Sequence, residues 1–132
     1  MNLKELASRE IVHFHEQIGK WFRGEMSPKE KEEMLALPGF HADFKMISPT
    51  GACKSRTGLA DWLPSVYGAK PGIVLEVKNI SLRFEQAGAL LMEYVEIQSG
   101  GGMDNTRIST ALFVQNEKEQ LQWWNLHETF LP

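Results

Sequence analysis

Three strand-like stretches in the second half of the chain carry the residues best suited to moving a proton or holding a charge. In Trp123-Trp124-Asn125-Leu126-His127-Glu128-Thr129-Phe130, side chains alternate, so Asn125, His127 and Thr129 point one way. Trp124, Leu126, Glu128 and Phe130 point the other. A polar row set between aromatics suggests a face that lines a pocket. His127 is the first candidate there, because an imidazole titrates near neutrality and serves as general acid or base. Earlier in the chain, Arg107, Ser109, Ala111 and Phe113 share a face, as do Met92, Tyr94, Glu96 and Gln98. Glu96 is a second candidate for proton transfer, and Arg107 or Tyr94 could stabilise developing oxyanion charge. Arg107 and Glu96 also suit one another as an ion pair, since a buried arginine without a partner is costly.

Other suggestive motifs lack the spacing their chemistry demands. In His13-Phe14-His15 the imidazoles are two apart, and such helix positions diverge, unlike the i, i+4 pair of a helical zinc site. No metal site is expected. His13 falls on the polar side of its helix, whereas His15 flanks the apolar stripe and can reach a pocket. Gly100-Gly101-Gly102 leads into a strand, not into the helix N-terminus that a phosphate cradle requires. It is expected to form a flexible hairpin, with Met103 at its tip able to fold over a ligand or against a neighbouring subunit. The lone Cys53 excludes an intrachain disulfide and a multi-cysteine zinc site, and it suits a small apolar filler in a strand. The Lys29–Glu33 charge run reads as a solvated helix face. None of these motifs implies a cofactor.

These candidates sit in a chain of 132 residues, 42% hydrophobic and 23% charged, enough to bury one core without disulfide or metal staples. A single domain spanning 1–132 is expected. The net charge of −3 argues against general nucleic-acid binding, which relies on a basic footprint. No apolar run approaches the roughly 20 residues needed to span a bilayer. The opening Met1-Asn2-Leu3-Lys4-Glu5 lacks the apolar core of a signal peptide, so the cytoplasm is the expected location.

The elements that must position the candidates follow from hydrophobic period. Leu3, Ala7, Ile11, Phe14, Ile18, Trp21 and Phe22 recur at three and four, predicting a helix over 3–23 that Gly24 ends. Ser27-Pro28-Lys29-Glu30 opens a second, shorter helix with a cap, a proline at the first position and a capping box. A strand over 40–48, a turn at Pro49-Thr50-Gly51 and a short return over 52–55 precede a third helix over 57–67, which Pro64 should bend. Long alternating strands then cover 73–85, 89–98, 106–115 and 121–131, joined by connectors short enough for antiparallel hairpins. The fold class is therefore α+β, with helices gathered on one face of a bent antiparallel sheet.

This order of elements, with Phe44-Lys45-Met46-Ile47-Ser48-Pro49-Thr50-Gly51, Leu59-Ala60-Asp61-Trp62-Leu63 and the closing Trp124–Phe130 strand, resembles the nuclear transport factor 2-like superfamily. Within it the likeness is to small bacterial SnoaL-like and ketosteroid-isomerase-like proteins, and it covers nearly the whole chain. The resemblance implies a cone, in which a bent sheet wraps a long N-terminal helix around a cavity. Members include isomerases, cyclases, dehydratases and non-enzymatic binding or oligomerisation domains. Their final strand commonly carries a tryptophan and then an alternating pair of histidines; His127 matches the first and Thr129 occupies the second. The isomerase pattern also needs a carboxylate from the first hairpin and a tyrosine from the N-terminal helix. Here the hairpin supplies Thr50, Lys54 and Ser55, the helix has no tyrosine, and Asp43 lies on the opposite side of its strand from Phe44.

The resemblance also selects which strand faces are concave. It implies that Tyr94, Glu96, Arg107, Ser109, Asn125 and His127 surround one cavity, with Trp62 and His15 near its rim. The expected role is a small-molecule-binding cone domain whose partner is a small organic molecule, anionic or carbonyl-containing. One alternative is a SnoaL-like acid–base enzyme (isomerase, cyclase or dehydratase) using His127 or Glu96; another is an oligomerisation module. Apolar residues on both strand faces, Leu90 against Leu91 and Trp123 against Trp124, point to a homodimer built on the convex face.

Overall fold

The computed structural model describes residues 2–102 and 104–132, so the expectation for Met103 lies outside the described residues. Helix α1 (Leu3–Arg23) is capped by Asn2, whose side-chain oxygen accepts a 2.9 Å hydrogen bond from the Glu5 N–H. Gly24 ends it at a φ of 74°, returning its own N–H to Trp21. That left-handed turn strains any residue with a Cβ. The buried stripe is Ala7, Ile11, His15, Ile18 and Phe22, with Trp21 and Gly19 beside it. His15 thus sits within the apolar stripe and not at its flank.

Helix α2 (Pro28–Ala36) carries the expected Ser27–Glu30 capping box and buries no residue fully. Strands β1 (Phe40–Ile47) and β2 (Cys53–Ser55) form the short hairpin, and α3 (Arg56–Val66) follows with Pro64 inside it. Cys53 is exposed at the start of β2; as the end of a three-residue edge strand, it has no second layer to fill against. Four long strands complete the chain: β3 (Val74–Gln86), β4 (Ala89–Ser99), β5 (Asn105–Gln115) and β6 (Leu121–Phe130).

The strands make one curved, unclosed sheet in the order β2-β1-β6-β5-β4-β3. All pairings are antiparallel except β1 with β6, which run parallel. The difference from a wholly antiparallel sheet arises because β6 returns beside β1 only after α3 and three hairpins, a long connection that permits either direction. α1 lies across the concave side. It packs Ile11, Ile18, Trp21 and Phe22 into a core shared with Leu90, Met92, Phe113 and Trp123 of the sheet.

One irregularity decides which residues face that core. Phe113 pairs with Trp123, yet Leu112 pairs with Asn125, so Trp124 is an extra residue in β6. Such a bulge reverses the alternation beyond it. Trp123 is fully buried; after the bulge Leu126 and Glu128 turn inward, and Trp124 is 39% exposed. Asn125 and His127 consequently point to the convex side, where Asn125 is half-buried and His127 exposed. Neither belongs to the cavity, contrary to the expectation for both. No helix is long and apolar enough to cross a membrane among the described residues.

Candidate functional site

Strands β4, β5 and β6 bring their inward side chains together at one end of the cone, against the middle of α1. Glu96 of β4 stands opposite Arg107 of β5 in register, and Ser109 of β5 stands opposite both Tyr94 and Glu128. The Glu96 carboxylate nevertheless turns to the helix. His15 Nε2 lies 3.0 Å from Glu96 Oε1, and Gln98 Nε2 donates to Glu96 Oε2 at 2.6 Å. His15 Nδ1 is 2.7 Å from the Ile11 carbonyl, which can only accept, so Nδ1 carries a proton. Nε2 then either donates as an imidazolium or accepts from a protonated Glu96.

Electrostatics favour the charged pair. Burial pushes the His15 pKa down, but the hydrogen bond and charge of Glu96 outweigh it, and the net shift is upward. Burial pushes Glu96 up, and the His15 and Gln98 contacts with the Arg107 charge hold it below the ordinary 4.5. The two directions agree on imidazolium and carboxylate.

Arg107 takes a different carboxylate. Its Nε and Nη2 donate to Asn105 Oδ1 at 3.1 and 2.9 Å, and its Nη1 reaches Glu128 Oε1 at 3.4 Å. The Phe130 ring covers the guanidinium at 5.2 Å. Glu128 is only 5% exposed, and burial, followed by the charge of Glu96, raises its pKa from 4.5 to about 7. The opposing attractions of Arg107 and His15 do not cancel these effects. Beside this cluster, Tyr94 and Ser109 are buried with their hydroxyls toward one another, and neither has a well-aligned partner beyond that contact among the described residues. Burial and the two nearby carboxylates push the Tyr94 phenol well above 10, so it serves as a neutral O–H only.

The polar cluster forms one end of a pocket of about 100 Å³. His15, Glu96, Gln98, Arg107 and Glu128 line that end, and Ile18, Phe22, Phe44, Met46, Leu59 and Trp62 supply apolar walls. A larger cleft of about 210 Å³ lies between α1 and α2 and shares only Phe14 and Phe40 with it. That cleft is lined by Glu10, His13, Glu30 and Glu33, and Glu30 is already paired with Lys20 at 2.6 Å. The smaller pocket, which holds the buried titratable groups, is the better candidate site. No group of three or more side chains suited to hold a metal ion occurs among the described residues.

The geometry thus collects His15, Trp62, Glu96 and Arg107 in one pocket, with Tyr94 and Ser109 buried beneath its floor, and leaves out Asn125 and His127. It also adds Glu128, assigned to the other face by sequence. The only sequence signal for it is the pair Trp123-Trp124, two large aromatics that cannot both be buried by strict alternation.

No protein-family model matches the chain, and a search of curated proteins gives no match. Solved structures do. A nuclear transport factor 2-like protein of unknown function from Pseudomonas aeruginosa is 30% identical, with a TM-score of 0.88 over 96% of this chain and 99% of that one. A candidate dehydratase of the same family from Streptomyces avermitilis is 16% identical, with a TM-score of 0.72 over 97% and 95% of the two chains. An uncharacterised protein with a cystatin-like fold from Caulobacter vibrioides is 16% identical, with a TM-score of 0.69 over 95% and 89%. The last two likenesses speak to fold alone.

Proposed function

The chain belongs to the nuclear transport factor 2-like superfamily, and from that premise we propose that it is an acid–base enzyme moving a proton on a small carbonyl-bearing molecule through Glu128. The observation that carries this reading is Glu128 itself, a carboxyl only 5% exposed that lines an apolar-walled pocket 3.4 Å from Arg107, where burial raises its pKa to about 7. A group half-ionised at neutrality is matched to both taking and returning a proton. The carboxylate can accept a proton from carbon beside a carbonyl; the acid can return it to carbon or to a leaving hydroxyl. Arg107 N–H groups adjacent to Glu128 suit a developing oxyanion. Burial is the main cause of the raised Glu128 pKa; the charge of Glu96 adds to it and the charge of His15 opposes it.

Solvent-deuterium exchange into a panel of small carbonyl compounds, followed by NMR, tests this reading. The wild type should catalyse exchange with an apparent pKa near 7, and Glu128→Gln should lose about 10²–10⁴-fold in rate. Retention of the rate in Glu128→Gln would overturn the assignment. A second reading, binding without turnover, is favoured by Glu96, both of whose oxygens are already engaged. Ligand retention with no exchange in the wild type would select it.

The same reading includes a homodimer through the convex face. Support comes from the cross-strand pairs Leu91–Leu112 and Val95–Ile108, half-buried on that face, and from Phe84 and Trp124, 59% and 39% exposed. The row Ser81–Glu93–Thr110–His127 separates the two pairs, and the apolar row Phe84–Leu91–Leu112 on one side of it is the surface that a partner would cover. Sedimentation at tens of micromolar (on the order of working concentrations) should give twice the chain mass, and Trp124→Glu should give a monomer. A monomeric wild type there would exclude the dimer.

A further inference from the structure

We propose that the molecule this pocket accepts is a short-chain monocarboxylate, whose carboxylate takes the open side of the Arg107 guanidinium, displaces Glu128 from it and traps a proton on Glu128. The inference rests on the acid–base reading of the same site and names its substrate class. The first support is the state of Arg107. A guanidinium has five N–H donors, and the contacts to Asn105 and Glu128 use three of them. The Glu128 contact, at 3.4 Å, is well beyond the ~2.7–2.9 Å of a strong charge-assisted bond. Arg107 is thus anchored by a neutral amide, 14% exposed along its side chain, and loosely held by its counter-ion. A planar carboxylate that meets two N–H groups side by side is a better partner.

Charge selects a monoanion. Glu128 on β6 is faced by Arg107 on β5, Glu96 and Tyr94 on β4, and His15 on α1. His15 and Glu96 neutralise one another at 3.0 Å, and Tyr94 stays uncharged. With Glu128 protonated, Arg107 is the one uncompensated charge among these groups. A single negative charge completes the balance; a second would face Glu96 with no cation left for it. The apolar walls accept a hydrocarbon tail, and about 100 Å³ keeps it short, against roughly 300 Å³ or more for drug-sized ligands. Finally, a protonated Glu128 needs an acceptor for its O–H. Ser109, its register partner, has a buried hydroxyl that faces the Tyr94 hydroxyl and has a second lone pair able to accept that proton.

In the bound state Glu128 therefore begins as the acid: it gives its proton to a leaving hydroxyl as the C–O bond breaks. The carboxylate so formed takes the proton from the adjacent carbon as the double bond forms, so that water leaves and Glu128 ends protonated. Titration calorimetry with butyrate, from about pH 6 to about pH 9, tests the coupling. Affinity should be flat below neutrality and fall about tenfold per pH unit above it, with uptake approaching one proton per ligand at the alkaline end. Proton uptake is read by repeating the titration in buffers of different ionisation enthalpy. Glu128→Gln should bind butyrate with flat affinity and no uptake, and butyramide should bind neither protein comparably. Equal binding of butyramide, pH-independent binding of butyrate to the wild type, or no binding across acetate to hexanoate would overturn the inference. The infrared carboxylic band of Glu128, by difference from Glu128→Gln, separates the two levels. Titration near neutrality without carboxylate binding sinks the substrate class alone; titration with ordinary carboxylates sinks the acid–base reading as well.

Discussion

Glu96→Ala is expected to lose about 3–5 kcal/mol of stability, because it strands a buried imidazolium that has no other carboxylate in contact. The pair is deep: His15 and Glu96 are 5% and 4% exposed, and each is tied to a further group, Ile11 and Gln98. The loss should depend on pH. The pKa of His15 is raised when folded, so its contribution is fully present below the ordinary 6.5 and lost as pH rises through the folded value. The pKa of Glu96 is lowered, so its contribution is present above 4.5 and lost as pH falls through the folded value. Denaturant unfolding should therefore show the greatest wild-type advantage between pH 4.5 and 6.5. His15→Leu with Glu96→Leu should recover much of the loss, since removing both charges leaves neither stranded. A single variant as stable as the wild type in that window would show that the pair carries no net stabilisation.

Glu128→Gln is expected to do the reverse and stabilise the protein at alkaline pH. Folding raises the Glu128 pKa from 4.5 to about 7, so the folded state holds the proton more tightly than the unfolded chain. Stability from this group is full below 4.5, declines as pH rises through about 7, and is lost above it. At about 1.4 kcal/mol per pKa unit, the ionised form at pH 8 carries a penalty of about 3 kcal/mol. Glutamine imitates the protonated acid and cannot ionise. Wild type and variant should melt together near pH 5, with the variant ahead by about 10 °C near pH 8. Parallel melting curves at both pH values would mean that Glu128 ionises as an ordinary carboxylate. Under the proposed acid–base role, the gain would coincide with lost proton exchange.

Local chemistry makes the elements legible in the sequence. The capping box at Ser27–Glu30, the Gly24 stop and the period of Leu3 to Phe22 place α1 and α2 as observed, because each depends on neighbours within a few residues. The inward faces of β4 and β5 were also readable: strict alternation runs unbroken from Leu90 to Gln98 and from Ser109 to Phe113. Alternation alone left the choice between faces open, and the family resemblance made it. Two things required the tertiary structure. The bulge at Trp124 carries no glycine or proline to announce it; it follows from fitting Trp123 and Leu126 into one core, and it sends His127 outward and Glu128 inward. The partner of Glu96 was the second. Register sets Arg107 opposite Glu96, but α1 delivers His15 from 81 residues away, and no local pattern encodes which of two cations a buried carboxylate meets first.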